Sequence, residues 1–263
     1  MVTTITWSVF TKPWKMPLPE LGRFVKGLGF DAIELPVRPG YQVEPETAEK
    51  DLPAAARLLA DLGVKIASVA GSTDERTIAA CAAAGVPILR VCERVDPKKG
   101  GYRAVEREVR ARYDALLPAL RKHGVTIGVQ NHCGEFIASA MCVLHLIEKY
   151  DRRQVAAVWD ACHCALNGED PELAADFLWP HLCMVNLKNA FWRLKTGPEA
   201  PVARWEYYWT TGRRGLAPWP RVMAELRRRS YQGVVCLTAE YSDEASVDRL
   251  VAEDVAFAKS LVA

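Results

Sequence analysis

The sequence predicts a (β/α)8 barrel, or TIM barrel, and three observations support this fold class. Short apolar runs alternate with longer amphipathic stretches along the 263 residues, which implies parallel strands joined by helical crossovers. Eight such units in about 250 residues is the usual size of this barrel. A doubly wound open sheet is the competing fold, but it usually carries a glycine-rich phosphate-binding sequence after its first strand, and none is present here.

Eight short runs have the strand pattern. In chain order they are 4–10, 32–36, 64–70, 87–92, 125–130, 155–160, 183–188 and 234–240. Amphipathic stretches such as 53–63 and 104–124 lie between them. Gly29, Gly63 and Gly124 each end such a stretch just before the next strand. Glycine suits this position because helices often end on a residue with positive φ.

Several of these strands alternate in polarity. In residues 126–130, Ile127 and Val129 fall on one face, whereas Gly128 and Gln130 fall on the other, because strand side chains alternate with period two. The strands at 183–188 and 234–240 show the same pattern. We expect the apolar set to pack on the outer helices and the small and polar set to face the barrel axis. The polar set then ends at the C-terminal mouth, where active sites of such barrels lie.

Composition excludes several classes of partner. Half of the residues are apolar, a quarter are charged, and the net charge is +2, which favours neither nucleic acid nor an acidic membrane surface as partner. The first ten residues lack the pattern of a signal peptide, and no stretch reaches the roughly 20 apolar residues of a membrane span. The 8 cysteines include no Cys-x-x-Cys pair, which favours reduced thiols. We therefore expect a cytoplasmic protein.

One connection is much longer than the others. The chain 1–263 is expected to form one domain, with a loop at about 189–217 between strand seven and its helix. Trp192, Trp205 and Trp209 lie in this loop. Such aromatic content argues against disorder, and long loops in compact domains are usually functional. We expect a lid over the mouth or a contact in a homo-oligomer.

Four oxygen-bearing side chains end predicted strands: Gln130, Asp160, Asn186 and Glu240. Two carboxylates and two amides would give a divalent cation a shell of charge −2. Oxygen ligands favour Mg²⁺ or Mn²⁺, and such a metal would make a C–H next to a carbonyl acidic enough for a carboxylate base. In the alternative, the acids at the mouth pair with Arg90 and Lys188, and no metal binds.

Two histidines follow predicted strand ends. His163 comes three residues after Asp160, and His132 comes two residues after Gln130. Both are candidates for contact with substrate, although a histidine that is simply hydrogen-bonded in a loop would look the same. Cys162 and Cys164 flank His163, but two thiols and one imidazole without a fourth ligand make a weak zinc site.

At these residues the chain resembles the xylose isomerase-like TIM barrel superfamily of sugar isomerases and epimerases, including relatives of D-tagatose 3-epimerase and hydroxypyruvate isomerase. The resemblance rests on GFDAIEL at 29–35, NHCG at 131–134, DACH at 160–163, the Leu-Lys pair at 187–188 and Glu240. It covers nearly the whole length. It implies the metal set Gln130, Asp160, Asn186 and Glu240. It also implies substrate contacts for His163 and for Arg193 in the loop after strand seven; we add His132 and Glu34 as substrate-binding candidates.

This chain departs from the pattern at two positions. Relatives that are epimerases have Glu where this chain has Gln130, and many have His where it has Asn186. An amide cannot accept a proton, which leaves Glu240 as the evident base and disfavours an epimerase with a base on each face of the carbon. A 1,2-proton shift, an elimination next to a carbonyl, or a one-sided epimerisation helped by His132 or His163 still suits the site.

The resulting hypothesis is a divalent-metal-dependent isomerase or epimerase of a small sugar or keto-sugar. Glu240 is its base, His163 and Lys188 stabilise negative charge on oxygen, and the metal is Mn²⁺ or Mg²⁺, with Co²⁺ or Zn²⁺ as alternatives. A lyase or dehydratase acting on a keto-sugar or polyol is one alternative function. A metal-free binding or subunit-interaction member of the superfamily is another. The DNA-repair branch that resembles endonuclease IV is excluded, because it needs a histidine-rich site and this chain has 5 histidines.

Overall fold

A computed structural model describes residues 5–262, apart from the side chain of Lys99. Numbered along the chain, its strands are β1 (Ile5–Phe10), β2 (Ala32–Pro36), β3 (Lys65–Ala70), β4 (Ile88–Val91), β5 (Thr126–Gln130), β6 (Val155–Asp160), β7 (Leu182–Leu187), β8 (Asn189–Leu194), β9 (Trp205–Thr210) and β10 (Gly233–Leu237). Eight of them form a closed parallel barrel in the order β1-β10-β7-β6-β5-β4-β3-β2. The predicted (β/α)8 fold is therefore confirmed, and the open-sheet alternative is excluded.

Helices follow the barrel strands. They are α1 (Leu18–Gly27), α2 (Ala48–Asp61), α3 (Glu75–Ala83), α4 (Gly101–His123), α5 (Ala140–Ile147), α6 (Ala161–Leu166), α7 (Pro171–Leu178), α8 (Trp219–Arg228) and α9 (Val247–Ser260). Gly29, Gly63 and Gly124 have φ values of 88°, 72° and 65°. The three glycines thus stand where the helices end in a left-handed residue, as the sequence predicts. Within the described residues, no helix is long and apolar enough to cross a membrane.

The barrel interior is small and tightly filled. Its apolar residues are Phe10, Ala70, Ile88, Val158, Met184 and Cys236, whereas the larger core lies between the strands and the helices. Ile127 and Val129 belong to that outer core. A Cβ on Gly128 would lie only 2.7 Å from Val158. The alternation predicted for β5 therefore separates the outer packing face from the interior face.

Strand boundaries match the sequence prediction within one residue at seven of the eight barrel strands, although Thr4 of the predicted first strand lies outside the described residues. The exception is β10, which ends at Leu237 rather than at residue 240. Ala239 then has a positive φ of 51°. Glu240 is consequently held by a turn beyond the strand, not by the strand itself.

The predicted loop at 189–217 contains regular structure. β8 and β9 pair as an antiparallel hairpin, with Asn189 opposite Thr210 and Leu194 opposite Trp205. The hairpin follows β7 after a single residue, Lys188. Its stem is therefore fixed directly above the mouth of the barrel.

Candidate functional site

The barrel brings the predicted strand-end residues together at its C-terminal mouth. Gln130 and Asp160 are the last residues of β5 and β6, and Asn186 is the last but one of β7. Asp160 and Asn186 are direct neighbours in the β6–β7 ladder. Glu240 enters the same space from the turn after β10, where it meets Lys188. Parallel strands make this convergence inevitable, since all of their carboxyl ends face the same way.

Asp160 lies at the bottom of the site and is fully buried. Its Oδ2 accepts a hydrogen bond from Gln130 Nε2 at 2.9 Å. Its Oδ1 accepts from the backbone N–H groups of Cys162 and His163, each at 3.1 Å, and so caps the start of α6. Burial raises the pKa of Asp160 to about 6, and Lys188, whose Nζ lies 3.8 Å away, opposes that shift.

Glu240 carries two lysine partners. Its Oε2 accepts from Lys188 Nζ at 2.7 Å, and its Oε1 accepts from Lys12 Nζ at 2.9 Å. Burial by itself would raise the pKa of Glu240, but the two ammonium groups outweigh it and hold the pKa well below the usual range. Burial likewise opposes the charge of Lys188, yet Glu240 and Asp160 raise the pKa of its ammonium group. The mouth therefore contains an ionised carboxylate and a fixed ammonium group at neutral pH.

His132 and His163 stack on one another with ring centroids 3.9 Å apart. Phe136 packs on the first ring and Trp209 meets the second edge-on. Burial lowers the pKa of His132 to about 4, with Lys188 contributing in the same direction. Burial also lowers the pKa of His163 well below its usual value. Both rings are consequently neutral at pH 7: they are weak bases, but a ring nitrogen of each can bind a metal.

Several buried polar atoms at the mouth lack a partner within residues 5–262. They are Nδ1 and Nε2 of His163 and both side-chain polar atoms of Asn186. Unpartnered buried polar atoms are uncommon and costly. Their concentration beside Asp160 indicates a site built to receive something polar.

Two of the predicted substrate-binding residues have other partners. Glu34 is fully buried, and its two carboxylate oxygens accept from Arg90 at 3.0 and 2.8 Å. Arg90, rather than Glu34, lines the open cavity. Arg193 lies in β8, pairs with Glu206 and stacks on Tyr208. The structure thus does not bring Arg193 to the acids, since the hairpin turns its side chain aside.

Two cavities open at the mouth, and Glu240 borders both. The first, of about 600 Å³, is lined by His132, Arg90, Lys12 and Cys92 among others. The second, of about 570 Å³, lies toward Trp14 and Trp209. Either has room for a small polyhydroxylated molecule with one end at Glu240.

Sequence reasoning missed Lys12 as a partner of Glu240. Lys12 follows the end of β1 by two residues, so the rule that identified the other strand ends could have found it. Trp209 was noted only as a loop aromatic, yet its ring lies 4.7 Å from Lys188 Nζ. The position of its ring depends on the β8–β9 hairpin, and the eight predicted strands do not include that hairpin.

Cys133 adds a possible metal ligand that the sequence analysis did not single out. The ligand atoms of His132, Cys133 and His163 all lie within 4.8 Å of one another. Burial raises the pKa of the Cys133 thiol. None of the eight cysteines takes part in a disulfide bond in the structure.

A closed eight-stranded barrel with a polar site at its C-terminal mouth defines the chain as a TIM barrel. The family described as xylose isomerase-like TIM barrel matches residues 23–261. The chain belongs to this family, as the short motifs in its sequence indicate. No curated protein sequence matches the chain.

Solved structures with the same fold are distant in sequence. D-psicose 3-epimerase from Clostridium cellulolyticum H10 is 13% identical with a TM-score of 0.73, over 98% of this chain and 99% of that one. The 3-keto-D-glucoside 4-epimerase of E. coli is 14% identical with a TM-score of 0.72, over 98% and 100%. A probable 3-DHS dehydratase from Bacillus anthracis is 14% identical with a TM-score of 0.70, over 97% and 98%. At these identities the similarity establishes the fold.

Proposed function

We propose that this barrel is an isomerase or epimerase that moves a proton next to the carbonyl of a small sugar or keto-sugar, with Glu240 as the base. The observation that carries the proposal is the pair of Glu240 and Lys188, 2.7 Å apart at the border of both mouth cavities. A base must lie within reach of the proton that it removes. The nearby ammonium group stabilises the negative charge that develops on the substrate oxygen.

The other mouth residues complete the proposed site. Lys188 and His163 would contact the oxygen that gains charge, and His132 would bind a substrate hydroxyl in the cavity that it lines. Trp209 covers both Lys188 and His163. A hydrophobic cover excludes water from the reacting carbon, which strengthens the electrostatic interactions.

The relatives support this class of reaction. Their names describe epimerases of D-psicose and of a 3-keto-D-glucoside. Both reactions change the configuration at a carbon of a sugar or keto-sugar. The name of a third relative describes a dehydratase, and for that reason a lyase on a keto-sugar or polyol is the second candidate. In this chain, either reaction would begin when Glu240 removes a proton next to a carbonyl.

The types of side chain at the mouth, carboxylates and amides, suit a divalent cation. Asp160, Glu240 and the amide oxygens of Asn186 and Gln130 would hold it, and Asn186 has no other partner among the described residues. When bound, Mn²⁺ or Mg²⁺, or else Co²⁺ or Zn²⁺, would polarise the substrate carbonyl. For this, Lys188 would have to leave its position against the two carboxylates, and Gln130 would have to turn its amide, since its Nε2 and not its oxygen faces Asp160.

The pairing of Lys188 with Glu240 and Asp160 also favours a site that works without a metal ion. The ammonium group already neutralises Glu240, and Gln130 already donates to Asp160. Glu34 pairs with Arg90 in the same way. In such a site Lys188 supplies the positive charge, and the protein is either a metal-independent enzyme or a binding protein.

The far end of the hairpin, residues 192–205, is our proposed contact in a homo-oligomer. It exposes large apolar side chains at Trp192, Leu194, Val202 and Trp205. Clustered exposed apolar side chains often mark interaction sites. Analytical ultracentrifugation of the Trp205→Ser variant tests this: a dissociated variant supports the contact, and an unchanged mass contradicts it.

Solvent deuterium exchange tests the proposed reaction. A panel of aldoses, ketoses and keto-sugars is incubated in D₂O with and without added Mn²⁺, and NMR follows loss of the C–H signal next to the carbonyl. Wild type should exchange that proton on at least one sugar. Glu240→Gln should lose about 10³-fold or more of the rate, because it lacks the base.

The control is Glu20→Gln, which alters an exposed carboxylate in the first turn of α1 and should leave the rate unchanged. Equal exchange by Glu240→Gln and wild type would exclude Glu240 as the base. Binding of a sugar without any exchange, by either protein, would favour the binding-protein alternative.

A further inference from the structure

We propose that His132, Cys133 and His163 form a binding site for a borderline-soft metal ion, Zn²⁺ or Co²⁺, distinct from the oxygen ligands of Asp160 and Glu240. The inference does not depend on the proposed reaction, and a metal bound here would take the place of the substrate contacts proposed above for His132 and His163. The three residues provide two imidazoles and one thiol from the ends of β5 and β6. This ligand set selects zinc-like ions over Mg²⁺ or Mn²⁺.

The spacing of the three ligand atoms is close to the spacing that a bound metal ion requires. The three ligand atoms lie within 4.8 Å of one another. Zn–N and Zn–S distances of about 2.0–2.3 Å in a tetrahedron bring ligand atoms to roughly 3.3–3.8 Å. Closing the cluster thus needs side-chain movements of only about 1 Å.

His132 has a contact that suits a metal ligand. Its Nδ1 lies 2.8 Å from the carbonyl oxygen of Cys133. A proton on Nδ1 satisfies that contact and leaves the lone pair of Nε2 free. Metal-binding histidines usually donate their other ring N–H to a carbonyl or carboxylate in this way, which fixes the tautomer.

His163 provides the independent observation. Its ring is fully buried, and neither ring nitrogen has a hydrogen-bond partner within the described chain. Its Nε2 lies 3.7 Å from Asp160 Oδ2. A small rotation would let Nε2–H donate to Asp160 and turn Nδ1 toward the cluster. A metal thus accounts for a histidine that is otherwise left unsatisfied in the core.

The fourth position of the metal would be open. His132 lines the cavity of about 600 Å³, so that water or a ligand oxygen could reach the ion from there. Three protein ligands with an open fourth position is the arrangement of catalytic rather than structural zinc sites. The Cys133 thiol would lose its proton to solvent when the metal binds, and the thiolate then cancels one of the two positive charges.

Co²⁺ spectroscopy of the chain 1–263, freed of metal with a chelator, tests the site. One equivalent of Co²⁺ should give a thiolate-to-cobalt charge-transfer band in the near ultraviolet, and Zn²⁺ should displace it. Cys133→Ser should abolish the band and weaken Zn²⁺ binding at least about 100-fold, since it removes a direct ligand. Cys142→Ser, which alters an exposed thiol, is the matched control and should keep the band.

Two further variants separate this site from its neighbours. Glu240→Gln should keep the charge-transfer band, because it alters only the oxygen site. His132→Gln should lose the band as Cys133→Ser does, and far-ultraviolet circular dichroism verifies that each variant is folded. A folded wild-type protein without the band overturns the proposal. A band that survives Cys133→Ser and disappears in Cys162→Ser or Cys92→Ser overturns it as well.

Discussion

At the scale of single residues, Lys188 sets the electrostatics of the barrel mouth. Its ammonium group lies 2.7 Å from Glu240 and 3.8 Å from Asp160, and the face of Trp209 covers it. Two carboxylates that would repel each other are held together by one charge. A divalent cation would need the same carboxylate oxygens, and the lysine and the cation therefore compete.

Lys188→Met should tighten Mn²⁺ binding by about 10-fold or more. Removing the competing ammonium group leaves two carboxylates near each other, and unit charges about 4 Å apart interact by about 1–4 kcal/mol between water and a protein surface. Isothermal titration of Mn²⁺ into both proteins measures the change. Lys12→Met is the control and should have a smaller effect, since Lys12 is more exposed and reaches only Glu240. Unchanged Mn²⁺ affinity in Lys188→Met would exclude a cation site between the carboxylates.

Ala239 positions Glu240 through an unfavourable backbone angle. Its φ of 51° places a residue with a Cβ in the left-handed region, at a cost of about 1–2 kcal/mol. Ala239→Gly removes that strain but gives the unfolded chain more freedom. The free energy of unfolding should stay within about 1 kcal/mol of wild type, while turnover falls because Glu240 is held less firmly. Denaturant unfolding and the deuterium-exchange rate measure the two effects, and equal loss of both would contradict a positioning role.

At the scale of elements, the strands were more predictable than the segments that cover them. β6 could be placed from its apolar run, and its last residue is Asp160. The sequence analysis predicts a loop at 189–217, where the structure has β8 and β9. The aromatic run of β9, residues 205–210, is nonetheless typical of strands. Local propensity in this run therefore favours the strand that the structure shows.

We expect the hairpin to affect turnover mainly through Trp209. Trp209→Ala removes the ring over Lys188 and the edge contact to His163. We expect about a 10-fold loss of deuterium exchange, the size of one cation–π contact of roughly 1–2 kcal/mol. Trp205→Ala lies on the same hairpin with its side chain exposed and should change the rate little. Equal rates for the two variants would mean that the hairpin does not cover the reacting atoms.

Asp254 on α9 connects the hairpin exit to the turn after Glu240. Its Oδ1 accepts from Gly212 N–H and its Oδ2 from the Tyr241 hydroxyl, both at 2.9 Å. Burial raises the pKa of Asp254 from 3.8 to about 6. Between pH 3.8 and about pH 6, Asp254 therefore keeps its proton in the folded state but has lost it in the unfolded state. Because of Asp254, the free energy of unfolding falls as pH rises through that range.

Asp254→Asn should remove this pH dependence. The variant retains an acceptor for Gly212 but no longer carries a charge to bury. Relative to the variant, wild type should lose about 1–3 kcal/mol of unfolding free energy between about pH 4 and pH 6. Denaturant unfolding of both proteins across that range measures the difference. A difference that is constant with pH would show that Asp254 has an ordinary pKa.

At the scale of the whole molecule, the barrel could be predicted because it follows from local patterns repeated eight times. The positions of Gln130, Asp160 and Asn186 follow from it, since parallel strands end at one rim. What could not be predicted is which side chains pair with one another at that rim. Lys12 follows β1 and so can be placed at the rim, but its contact with Glu240 joins positions 228 residues apart, after the neighbouring strands β1 and β10, and no local pattern encodes that pairing. The turn of Arg193 toward Glu206 likewise depends on a pairing of β8 with β9.

The interior of the barrel gives the last prediction. Gly128 faces the axis, where a Cβ would lie 2.7 Å from Val158 and 3.2 Å from Ile88. All three side-chain positions belong to a closed ring of strands, so that none can withdraw without moving its neighbours. Gly128→Ala should therefore lower the free energy of unfolding by about 1–3 kcal/mol, the usual cost of overpacking.

The matched control is Gly27→Ala in α1, where a Cβ would meet nothing within 4 Å. Alanine is the better helix former, and this variant should be as stable as wild type or up to about 1 kcal/mol more stable. Thermal and denaturant unfolding of both variants compare the two sites. If Gly128→Ala were as stable as Gly27→Ala, the interior could adjust to an added methyl group. The strands around that interior position the side chains at the mouth. Those side chains would then be held less rigidly than a tightly packed barrel would hold them.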